Sequence, residues 1–143
     1  MDRNQFLIFP LASLALLSGC NRSDVIPENP DSSNPSHCIA AFSYAREFSV
    51  NHPEPDMSLI VQLTARTLFE AKSTSASPVF ETRNDQFARL SDEQEEEVDR
   101  LLFECFAKQD ADPKFREANR SGELMRAARK ADPVCRAESR CRL

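Results

Sequence analysis

Five cysteines, two histidines, a run of carboxylates from Asp92 to Asp99 and a basic C-terminal stretch are the groups in this 143-residue chain that could do chemistry. The thiols are Cys20, Cys38, Cys105, Cys135 and Cys141. None belongs to a C-x-x-C pair, which removes a thioredoxin-like redox site, and the lack of C-x-x-C-H removes covalent haem. Zinc would need further ligands at regular spacing, and only His37 and His52 are at hand, so no metal and no cofactor is expected. His37 adjoins Cys38, but adjacent helical positions point in different directions, which argues against a thiol and base pair. His52, before Pro53, marks a helix end, where an imidazolium meets the negative pole of the dipole. The carboxylates lack the alternating Asp/Asn pattern and the glycine of a calcium loop, and helix capping accounts for much of them. Arg126, Arg129, Lys130, Arg136, Arg140 and Arg142 form a candidate anion-binding patch. Part of that charge sits where a helix C-terminus favours cations, and part could pair with the acidic helix.

Composition narrows the classes further. The two glycines, Gly19 and Gly122, cannot build a phosphate cradle or a dinucleotide fingerprint. The same shortage removes the usual turn chemistry of hairpins, while Ala, Glu, Arg and Leu dominate the second half, so the fold should be helical. A net charge of −5 argues against nucleic acid as a partner. No repeat of solenoid length is visible.

Arg3 precedes an apolar stretch from Phe6 to Leu17, well short of the roughly 20 residues of a membrane-spanning helix. A charged start, a short apolar middle and small residues at its end are the parts of a secretory signal peptide. The last four residues, Leu17-Ser18-Gly19-Cys20, resemble a bacterial lipobox. The resemblance implies that a diacylglyceryl group joins the Cys20 sulfur, that a peptidase recognising Leu17, Ser18 and Gly19 cuts before Cys20, and that the freed amine is acylated. Several acyl chains, at about 0.8 kcal/mol per buried methylene, make such an anchor effectively permanent. Asn21, where an aspartate would retain a lipoprotein at the inner membrane, implies the periplasmic face of a Gram-negative outer membrane.

The expected organisation is a signal peptide over 1–19, a lipidated tether over 20–36 and a helical domain with a cysteine-bearing tail over 37–143. The tether, "NRSDVIPENPDSSNPS" after Cys20, is proline-rich and reads as extended and disordered, able to hold the domain some tens of ångströms off the bilayer. Ser36 and Pro53 bound a first helix whose core face carries Cys38, Phe42, Ala45 and Phe48. Asp56 caps a second, on which Met57, Ile60, Val61 and Leu68 form a stripe widened by Leu59, Leu63 and Phe69, so it should be central. Residues 73–78, "STSASP", read as a loop, and 79–90 as a short helix anchored by Phe80, Phe87 and Leu90. "SDEQ" from Ser91 is a capping box, followed by Val98, Leu101, Leu102, Cys105 and Phe106 at helical spacing. Asp112-Pro113 opens a last helix that runs to Asp132, with Phe115, Ala118, Gly122 and Met125 on one face. A mid-helix Gly122 costs about 1 kcal/mol against alanine, which a close helix contact would explain.

These elements predict an all-α fold, a small disulfide-stapled bundle of about four to five helices. An even set of domain thiols in an oxidising compartment predicts two disulfides. Alternating helix directions bring Cys38 to Cys105 and leave Cys135 to Cys141; without a helix at 79–90 the tail cysteines would clip onto the helices instead. The expected function is a non-catalytic interaction or accessory module, held to the membrane by lipid on Cys20. Its partner would be an envelope protein or an anionic envelope component. Two alternatives differ in a visible way. An envelope-polymer hydrolase would gather carboxylates between Asp85 and Asp112 in a cleft with one pKa raised. A periplasmic inhibitor of an envelope-degrading enzyme would present residues 73–78 or the basic tail.

Overall fold

Side-chain caps set most helix starts. The computed structural model describes residues 26–74, 90–137 and 141. Helix α1, Pro35–Val50, starts two residues earlier than a Ser36 cap suggests: Asn34 is the cap, its side chain accepting from the Ser36 amide at 3.0 Å. Pro35 explains the shift, because a proline without an N–H fits the first helical position and moves the cap to the residue before it. Asp56 caps α2, Met57–Ala71, through the amides of Ser58 and Leu59. Ser91 and Gln94 form the reciprocal capping box that opens α3, Asp92–Ala111.

The last stretch departs from the sequence expectation. Asp112 caps α4, Pro113–Arg120, and the chain then turns at Ser121–Gly122 into α5, Glu123–Ala131. Gly122 has φ +74°, so it is the left-handed residue of a break and does not sit within one continuous helix. Leu124 and Ala128 consequently face the core beside Phe115, while Ala118 and Met125 are half-buried. Asp132 caps a final short helix α6, Pro133–Ala137, accepting from the Val134 amide at 2.9 Å. The expected loop and helix between residues 75 and 89 lie outside the described residues.

Helix α1 packs between α2 and α3, α5 lies on the far side of α2, and α4 joins α3 to α5. Two apolar clusters result. Cys38, Ala41, Phe42, Leu63, Leu101 and Cys105 form the first, with Phe42 and Phe106 stacked at 5.5 Å. Val61, Ala65, Phe115, Leu124, Ala128 and Cys135 form the second, with Phe69 edge-on to Phe115. Helix α2 serves both, Leu63 facing one and Val61 and Ala65 the other, which is the central role its broad apolar surface predicts. Helix α1 is buried more completely still, from Cys38 through Tyr44.

Two expected core residues lie outside. Phe48 is 65% exposed, because the inward positions of the last α1 turn belong to Arg46 and Glu47. Leu59 is exposed in the first turn of α2. The two disulfides join Cys38 to Cys105, 67 positions apart, and Cys135 to Cys141. The described part of the tether is not free of the domain: the Asp31 amide donates to His37 Nδ1 at 2.9 Å, and Lys108 Nζ donates to the Ser32 carbonyl at 2.9 Å. Ile26, Pro27, Glu28 and Pro30 line a groove with Glu93, Gln94, Glu96, Glu97 and Arg100 of α3.

Candidate functional site

Thiol chemistry is closed in the domain. Cys38 and Cys105 are fully buried in their bond, and Cys135 is nearly so. His37 therefore has no thiol to activate; its ring receives the Asp31 amide instead. His52 Nδ1 likewise meets a backbone amide, that of Glu54, at 3.2 Å. Cys20, with Leu17, Ser18 and Gly19, lies outside the described residues, as do Arg140 and Arg142.

The described members of the basic patch gather on α5 and α6. Arg126, Lys130 and Arg136 are exposed and Arg129 is half-buried. Arg126 donates to the Ser121 carbonyl at 3.2 Å. The acidic patch occupies the first half of α3, where Arg100 bridges Glu97 and Glu104 within the helix and has its pKa raised by those two hydrogen bonds. Glu95 accepts from the Tyr44 hydroxyl, and burial together with this carboxylate pushes the phenol pKa up. Pairing between the acidic helix and the basic patch, which the sequence allowed, is not formed among the described residues.

Sequence reasoning missed the charged groups of the interior. Arg46 is 1% exposed and Asp132 is 0% exposed. They meet in a bidentate pair, Nε to Oδ2 at 2.8 Å and Nη2 to Oδ1 at 2.9 Å. Thr64 Oγ1 donates to Oδ2 at 2.6 Å, and Arg46 Nη1 reaches Glu47 Oε1 at 2.6 Å. Burial alone would raise the Asp132 carboxyl, but Arg46, Thr64 and the Val134 amide together hold it below the ordinary carboxylate range. Asp132 thus caps α6 and closes α1 onto α2 with one carboxylate. The only signals were Arg46-Glu47 inside an apolar helix and an Asp-Pro step that also reads as a plain helix end.

A second charged group sits between α2, α3 and α4. The Arg66 guanidinium lies 4.5 Å from the Phe106 ring centre and 4.8 Å from that of Phe115. It donates to Gln109 and Asp110, while the Gln109 amide returns a bond to the Arg66 carbonyl. Nearby Lys108 pairs with buried Glu70 at 2.8 Å.

Among the described residues, open grooves lie at the two ends of α3. One, about 740 Å³, lies between residues 26–30 and α3 and is lined by Glu28, Glu93, Glu96 and Glu97. The other, about 520 Å³, is at the opposite end of α3, where Lys72, Lys108 and Lys114 stand around Phe69 and Glu70. The two described carboxyls with displaced pKa values, Asp31 and Asp132, are both lowered, Asp31 chiefly by hydrogen bonds from Ser33. Each is a standing anion at neutral pH, suited to holding its partners rather than to delivering a proton. No helix among the described residues is long and apolar enough to cross a membrane. No family model, no curated protein and no solved structure matches the chain.

Proposed function

We propose that the chain is a lipid-anchored interaction or accessory module on the periplasmic face of a bacterial outer membrane, non-catalytic, with an envelope protein or an anionic envelope component as its partner. The observation that carries this reading is Leu17-Ser18-Gly19-Cys20, placed where the apolar run from Phe6 ends. Two disulfides in a small helical domain fit the oxidising compartment such an anchor implies. The interior charges fit it too, because Arg46, Asp132 and Thr64 are engaged with one another and hold helices together.

Intact mass measurement of the membrane-extracted protein, beside a Cys20→Ser variant, tests the reading. The expected mass begins at Cys20, carries acyl additions that vanish in the variant, and gains two hydrogens per bridge on reduction. A mass without acyl additions removes the anchor, and with it the proposed location.

A further inference from the structure

Among the described residues, carboxylates without an ion pair gather on α3 and cations without one on α5. Among the described residues Asp92, Glu93, Glu96 and Asp99 of α3 make no ion pair, and neither do Arg129 and Lys130 of α5. Within one molecule α3 packs on α1 and α5 packs on α2, and no ion pair joins the two sets among the described residues.

Shape accompanies the charge. Phe103 is 74% exposed and projects from the outer stripe of α3, one turn beyond Asp99 and two beyond Glu96. An exposed phenylalanine flanked by anions is a knob with a defined preference. On α5, Arg126 and Lys130 stand one turn apart with the exposed Ala127 next to Arg126.

We propose that the outer stripe of α3 docks on the α5 face of a second copy of this chain, Phe103 seating on Ala127 beside Arg126 and Lys130. Glu96 and Asp99 then meet the two cations. The contact joins unlike surfaces, so each copy keeps one free donor face and one free acceptor face, and association propagates head to tail. Opposite potentials favour this pairing and disfavour α3 against α3 or α5 against α5. The inference goes beyond the anchor reading and does not depend on it.

Sedimentation velocity of the full chain in detergent, at low and high salt, tests the proposal. The wild-type chain is expected to associate with concentration at low salt, with affinity falling about tenfold or more at high salt as the exposed charges are screened. Phe103→Ser and the double variant Arg126→Glu with Lys130→Glu should each be monomeric, as should Glu96→Lys with Asp99→Lys. All alter exposed positions, so circular dichroism should match the wild type, and only the variant carrying Arg126→Glu, which loses the bond to the Ser121 carbonyl, should show a lower urea midpoint. The decisive sample is a one-to-one mixture of the two charge-reversed variants, which should associate although neither does alone. A wild-type chain that stays monomeric at low salt, association that charge reversal leaves unchanged, or a mixture that remains monomeric would overturn the proposal.

Discussion

Replacing Asp132 by Asn tests whether the buried network holds the fold as argued. Asparagine keeps the shape and an oxygen that can still cap α6 through the Val134 amide, but removes the charge that Arg46 faces in a bidentate pair. Arg46 has nowhere to rehydrate, being 1% exposed, so the variant leaves a buried guanidinium without the carboxylate charge it faces. Breaking a buried pair from one side costs about 3–5 kcal/mol. That is a large part of the roughly 5–15 kcal/mol that stabilises an ordinary domain. With a urea slope of about 2 kcal/mol per molar, the midpoint should fall by about 2 M. Arg46→Met should be similarly costly, while the double variant removes the stranded charge and should lose about 2 kcal/mol less than the two singles summed. The wild type should also show an acid limb. Because the folded carboxyl lies below its unfolded value, the unfolded chain takes up the proton first, so stability is complete above about pH 4 and declines as pH falls through the lowered folded value. Asp132→Asn should flatten that part of the limb. An Asn variant within about 1 kcal/mol of wild type, or strictly additive singles, would refute the view that this charge pair closes the bundle.

Other consequences are as direct. Loop-closure entropy for a bond spanning 67 positions predicts about 4 kcal/mol, against about 2 kcal/mol for one spanning 6. Paired serine replacements at Cys38 and Cys105 should therefore lower the urea midpoint about twice as far as those at Cys135 and Cys141. Gly122→Ala should destabilise by about 1 kcal/mol in thermal melts because φ is +74°, and Gly122→Asn by less, since asparagine tolerates that region. A neutral or stabilising alanine would restore the continuous helix. Ser91→Ala removes one half of the capping box and should cost about 1 kcal/mol, read by the same melts, with the loss confined to hydrogen exchange in the first turn of α3 if the box acts locally.

Local chemistry made much of the fold legible in advance. Asp56, Ser91 and Asp112 stop and start helices through bonds to amides two or three residues on, so the sequence alone contains the whole interaction. Cys38 and Cys105 were legible because periodicity put both on core faces. Gly122 was misread, since a glycine in an otherwise good helix looks alike whether it permits a close contact or a left-handed turn, and only the φ separates the two. Phe48 was misread because periodicity assumes that an apolar face is covered along its full length, whereas Arg46 and Glu47 take the inward positions of that last turn. The Arg46–Asp132 pair joins residues 86 positions apart, and no local pattern marks a charge that turns inward. The basic patch was legible as composition, but its separation from the acidic helix depends on the order in which helices pack.

That 86-residue span also orders events in time. A chain made from its N-terminus exposes Arg46 long before Asp132 exists, and until then the guanidinium has its neighbour Glu47 but not the carboxylate that ties α1 to α2. The tie that Asp132 makes to α1 and α2 must wait for that residue, because long-range contacts form only after the intervening chain is in place. A product truncated before Asp132 keeps the helices that cover α1 but leaves Arg46 without its bidentate partner, and should be less stable and more open to proteases than the full chain. The buried pair makes the settling of the first helix depend on a residue 86 positions further along the chain.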